Sequence, residues 1–144
     1  MDKSFDVQAH WEKYWGNSTP YHRDILQLEL LEWDVDARSA KFWLPYRTSF
    51  ENGPVPSEAV IHGGVIASFV DSTTGFALAM AARHSGGPTI DLRLDCLAPA
   101  YQTGLTGEAK VIKLGRRIGV ADVSITNDNG KLVAVGRQTA YLGP

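Results

Sequence analysis

A single apolar run, Val60 to Ala82, constrains this chain more than any other stretch. Val65, Ile66, Phe69, Val70, Phe76, Ala77 and Met80, with the methyl of Thr73, recur at helical spacing, and alanine is frequent. The spacing predicts a long helix with little solvent-facing surface. Its length would also suit a bilayer span, but Ser68, Asp71, Ser72, Thr73, Thr74 and Gly75 lie in its middle, where an ionisable group is expensive in lipid. The run is therefore expected to be the core helix of a folded domain, with no membrane partner.

Two features of this helix look chemical. The Gly63-Gly64 pair lets backbone approach a ligand closely where first-turn N–H groups lack intrahelical partners and the helix dipole is positive, a ready anion or oxyanion site. The same pair would also serve a chain that merely enters a crowded core. Asp71 is a carboxylate inside a buried helix, costly unless it is paired, and such residues cluster at functional sites. Its other reading is a cap for a second helical segment starting at Asp71-Ser72-Thr73-Thr74. Asp71 follows His62 by nine residues, which at ~100° and ~1.5 Å per residue puts the two on opposite helix faces, ~13 Å apart along the axis. If both serve one reaction, two copies of the chain must share each site.

At 144 residues, 44% hydrophobic and 21% charged, the chain is expected to form a single domain over residues 1–144, with residues 1–24 as an N-terminal helical extension. A net charge of −2 leaves no electrostatic footprint for nucleic acid. Met1-Asp2-Lys3-Ser4-Phe5 has no apolar leader segment, and the lone Cys96 fits a reducing compartment, so a cytoplasmic location is expected. His10, His22 and His84 show no ligand spacing with His62, so no metal is expected.

Asp6 to Trp15 reads as a short helix ending near Gly16-Asn17, with Trp11 and Trp15 one turn apart and turned toward the domain. Ile25 to Asp36 alternates as a strand whose phase switches between Leu30 and Leu31, as a bulge requires, and Ala40, Phe42 and Leu44 point inward in the next strand. Tyr46 to Ala59 is loop. After the helix and His84-Ser85-Gly86-Gly87-Pro88, four strands follow. The first sets Ile90, Leu92, Leu94 and Cys96 on one side and Thr89, Asp91, Arg93 and Asp95 on the other, making Cys96 a core residue. Asn127-Asp128-Asn129-Gly130 is a hairpin turn before the last strand, Lys131 to Leu142. Short hairpin links imply an antiparallel sheet around one apolar helix, an α+β arrangement.

The run His62-Gly63-Gly64, then Asp71 and Gly75, resembles the signature of the hotdog-fold acyl-CoA thioesterases of the phenylacetate-degradation (PaaI) type. The resemblance continues in Gly87-Pro88-Thr89-Ile90-Asp91-Leu92, in Leu97-Ala98-Pro99-Ala100, in Gly104 to Val111 and in Gly130 to Thr139, and so covers the chain from about Leu26 onward. It implies a hotdog fold and hydrolysis of an acyl-CoA, which is the substrate, with no cofactor, while the aromatic side chains Phe50, Phe69, Phe76 and Trp43 permit a small aryl- or medium-chain acyl group without choosing between them. The opposite-face spacing of His62 and Asp71 makes a homodimer the expected partner arrangement, and pairing into a dimer of dimers stays open beside a plain dimer. Asp71 would be general base or nucleophile, the Gly63 N–H the oxyanion donor, and Thr89 a hydroxyl that positions water, while His62 orients the carbonyl contact. Related enzymes carry an Asn six residues before the His; that position is Pro56 here, and Asn52 is the candidate to fold back into the role. Gly64, Phe69 and Phe76 would contact the acyl group, with Phe50 and Trp43 in the same wall. Arg116, Arg117 and Arg137 would meet the coenzyme A phosphates, unless they are solvated charges. Two other activities stay open: a non-catalytic acyl-CoA-binding hotdog protein, and a hotdog dehydratase or hydratase.

Overall fold

The computed structural model describes residues 5–16 and 18–143. Helix α1, Val7–Tyr14, is capped by the Asp6 carboxylate, which accepts from the Ala9 N–H at 3.0 Å. Trp11 is buried edge-on against Phe76, so the extension packs on the domain as expected. The helix ends at Tyr14, before the expected Gly16-Asn17, and Asn17 lies outside the described residues. Where the strand was expected to begin, a π-helical turn, Tyr21–Leu26, closes on Gln27 in the left-handed region. The strand proper, β1, is Glu29–Asp34, and its register against β2, Ser39–Leu44, skips Leu31, so the bulge falls where the phase switch puts it.

Beyond β2 the loop carries a short ladder between β3, Glu51–Asn52, and β4, Val60–Ile61. Helix α2, Gly63–Ala82, runs unbroken through Asp71, which removes the reading of Asp71 as a second cap. Then come β5, Thr89–Cys96, β6, Leu105–Leu114, β7, Ile118–Asn127, and β8, Leu132–Tyr141. Six strands form one antiparallel sheet in the order β1-β2-β6-β7-β8-β5, which wraps α2 as the hotdog resemblance implies. Phe69, Val70, Phe76, Leu78 and Met80 of α2 meet Phe42, Leu105, Ala121 and Ile125 of the sheet in one core. Fully burying each large side chain is worth about 1.5–3 kcal/mol, so the apolar length of α2 is used inside the protein.

Strand β5 corrects the expected alternation. Its register with β8 passes from Thr89↔Ala140 to Asp91↔Thr139, which leaves Ile90 as an extra residue. The bulge puts Thr89 in phase with Leu92 and Leu94 on the helix side and leaves Ile90 exposed. Cys96 is exposed, not core, because it stands at the end of β5, an edge strand of the sheet.

Candidate active site

Asp71 projects half-buried from the middle of α2 toward β5 and β8. The Thr89 hydroxyl donates to its Oδ1 at 2.6 Å, and the Gln138 amide donates to the same oxygen at 2.7 Å. Gln138 also donates to Thr89 Oγ1 at 2.6 Å, and its own oxygen accepts from Thr74 at 3.0 Å. Two local features place Thr89 here: the bulge at Ile90, and Gly87, where any Cβ would lie 1.9 Å from the Tyr141 carbonyl. Only glycine lets the chain pass β8 that closely on its way into β5.

At the start of α2 a side chain supplies the cap. His62 is its N-cap, with the imidazole Nδ1 accepting from the Gly64 N–H at 2.8 Å. A Cβ on Gly64 would sit 2.9 Å from that nitrogen, so glycine is needed for the cap. The cap engages Gly64 and leaves the Gly63 N–H without an acceptor among the described residues, with open space where its Cβ would be. The imidazole thus orients the helix start and lies far from Asp71, as the opposite-face spacing requires.

Asn52 pairs with Val60, three residues before Gly63, and the Phe50 carbonyl accepts from the His62 N–H at 2.8 Å. The ladder therefore sets Asn52 against Val60, three residues upstream of the helix start, with Phe50 at the start itself, while Pro56 stands in an exposed 3-10 turn. Arg116 and Arg117 are exposed at the β6–β7 turn. The Arg117 carbonyl accepts from Leu142, and Pro88 accepts from Tyr141, which sets the two arginines at the sheet end where β5 begins. Arg137 is held by Asp122 in a two-pronged ion pair at 2.5 and 2.8 Å. Phe69 and Phe76 offer no surface to an acyl group: both are fully buried, Phe69 behind Gly107 and Phe76 among Trp11, Trp15 and Phe42. Trp43 alternates with the inward Phe42 and Leu44 and lies on the other side of β2. No cluster of three metal-ligating side chains occurs among the described residues.

Sequence reasoning missed two contributors. Gln138 was visible only as a polar residue in the inward phase of the last strand, between Gly136 and Ala140. His22 lies in the π-helical turn with Nε2 3.0 Å from Ser72 Oγ, and Tyr21 donates to Ser68 at 2.6 Å, so the extension straps α2 beside Asp71. Burial lowers the His22 pKa, against the pull of the Asp71 charge.

Comparison with known proteins agrees with this geometry. The family profile "Thioesterase superfamily" matches residues 58–134, just over half of the chain. Acyl-coenzyme A thioesterase 13 of Mus musculus is 35% identical over 85 residues, 58% of this chain and 61% of that protein, so the match spans less than two thirds of the relative. The crystal structure of zebra fish thioesterase superfamily member 2 superposes with a TM-score of 0.77 at 26% identity, over 95% of each chain. The PaaI protein of the E. coli phenylacetic acid degradation operon shares the fold, with a TM-score of 0.73 at 22% identity over 96% of each chain. This chain belongs to the thioesterase superfamily and carries its hotdog fold.

Proposed function

We propose that the protein is an acyl-CoA thioesterase, acting on a small aryl- or medium-chain acyl group with Asp71 as its base or nucleophile. The observation that carries this reading is the half-buried Asp71 carboxylate, held on α2 by Thr89 and Gln138. Hydrolysis needs a polarised carbonyl, an oriented water and a proton acceptor. The Gly63 N–H supplies the first, a contribution of roughly 10²–10³ in rate for one good donor. As a base, Asp71 takes the proton of a water whose oxygen attacks the carbonyl carbon, typically worth about 10²–10⁴. The tetrahedral intermediate collapses, the C–S bond breaks, and the proton passes to the departing CoA thiolate. Arg116 and Arg117 serve the nucleotide phosphates through paired donors. Arg137 is committed to Asp122 and is not assigned that role.

Because Gly63 and Asp71 lie eight residues apart along α2, ~12 Å at ~1.5 Å per residue, one site takes Gly63 from one copy and Asp71 from another. A homodimer is proposed accordingly. The free edge of β5, with Ile90 exposed and Leu92 and Leu94 half-buried, is a fitting surface for it, and a dimer of dimers extends the same scheme. A cytoplasmic location is part of the proposal.

The test is a panel of acyl-CoAs followed by thiol release, beside enoyl-CoA followed by hydration. Thiol release with a defined acyl preference is expected. Hydration without thiol release would replace the reading by a hydratase, and binding without turnover would replace it by a carrier or sensor.

A further inference from the structure

We propose that Gln138 is a positioning residue that determines which oxygen of Asp71 does the chemistry; the proposal rests on the assignment of Asp71 made above. Gln138 is 2% exposed on β8, opposite Leu92 of β5 and Ala121 of β7, on a strand face otherwise lined by Ala134, Gly136 and Ala140. A buried amide in such a place is costly unless every group on it is satisfied. Here it is satisfied by the site itself. The Asp71 carboxylate only accepts, so the amide must turn its nitrogen to Oδ1, since an amide oxygen at 2.7 Å would set two acceptors against each other. One amide hydrogen goes to Asp71 and the other to Thr89 Oγ1. The single Thr89 proton then goes to Asp71 Oδ1, which closes a ring of three hydrogen bonds. Thr74 fixes the far end, its hydroxyl shared between the Gln138 oxygen and the Val70 carbonyl.

Both donors converge on Oδ1, and no hydrogen bond among the described residues reaches Oδ2. Oδ2 is thus the oxygen that meets water or the thioester carbon. Thr89, whose proton is already given to Asp71, acts in this arrangement as a holder of the carboxylate, where the resemblance alone implied a positioner of water. The carboxylate torsion is intrinsically broad, so without Gln138 the group swings about a single remaining tether. A displacement of about 1 Å at a reacting group is enough to cost roughly 10²-fold in rate.

The experiment is a double-mutant cycle on the full chain, with Gln138→Met and Asp71→Asn singly and together, read as kcat and KM for the best acyl-CoA of the panel. Gln138→Met keeps the side-chain length and removes the donors. It should lower kcat by roughly 10- to 10²-fold while KM stays within about twofold, because substrate binding is not its task. In the Asp71→Asn background the same change should cost nothing further, since a residue acting only through Asp71 has nothing left to position. Wild-type kcat in Gln138→Met overturns the proposal, and so does a full loss that persists in the Asp71→Asn background. Near-normal turnover in Asp71→Asn alone would instead overturn the catalytic assignment beneath it. Should Gln138→Met not fold, Gln138→Leu removes the same donors with a shorter, branched apolar side chain. The same fall in kcat is expected from it, and wild-type turnover in that variant overturns the proposal equally.

Discussion

Asp71→Asn and Asp71→Ala separate the two things that the Asp71 side chain does. In the native protein Oδ1 accepts from Thr89 at 2.6 Å and from Gln138 at 2.7 Å. Asparagine can keep an oxygen in that place, so both bonds survive and the fold should be undisturbed. Only the basic, charged oxygen is lost. If that oxygen is the general base, kcat should fall by about 10²–10⁴-fold, which at 1.36 kcal/mol per tenfold is about 2.7–5.4 kcal/mol of barrier. Alanine removes the acceptor as well. It strands one hydrogen of the buried Gln138 amide, at about 1–3 kcal/mol for an unsatisfied buried donor, while the exposed Thr89 hydroxyl turns to water; better helix propensity offsets roughly 0.5 kcal/mol. For a domain of this size about 1 kcal/mol moves Tm by roughly 2–4 °C, so Asp71→Ala should melt several degrees below Asp71→Asn, which should melt with wild type. Thiol release and thermal melting of the two variants, side by side, give both numbers. Near-normal turnover in Asp71→Asn would refute the catalytic part of this reasoning, and equal melting of Asn and Ala variants would refute the hydrogen-bond part.

Three further outcomes are expected. Gly63→Pro should delete the oxyanion N–H without breaking α2, because the site is N1, the preceding His62 is extended at φ −60° and ψ 135°, and nothing lies within 4 Å of the added carbon. Mixed with Asp71→Asn, it should regain up to roughly one quarter of wild-type activity in randomly paired dimers, each hybrid holding one intact site; hybrids of two folded, dimeric variants that stay inactive would place the site within a single chain. Replacing Arg116 and Arg117 together by Ala should raise KM for acyl-CoA more than for the matching N-acetylcysteamine thioester, and equal changes would reduce both to solvated charges. The buried His10 ring has its pKa lowered from 6.5, first by burial and then by His84 and Lys13, against a hydrogen bond that the ring donates to the His84 backbone. The unfolded chain therefore binds the proton more readily, and stability present above about pH 6.5 is lost as the pH falls below it. Tm should drop less steeply on acidification in His10→Phe than in wild type, and parallel slopes would show that His10 is not the group responsible.

Much of this fold was legible in the chain itself. The Val60–Ala82 run announced a core helix because burial and helical period leave the same mark on a sequence, and the phase switch at Leu30–Leu31 announced a bulge because a strand's two faces differ in polarity. His62, Gly63 and Asp71 stood out through local spacing on one element. What required the tertiary structure was everything set by neighbours far away in sequence. Cys96 is exposed because β5 is the last strand of the sheet, a fact of strand order that no alternation contains. Thr89 faces the helix because one residue of β5 has no partner on β8, and Phe76 is sealed because α1 folds back over it. Gln138 enters the site from 67 residues away, as one polar letter in an inward run. Periodicity records which face of an element is buried; which elements meet across that face, and therefore which side chains hold Asp71, is decided only when the sheet closes around α2.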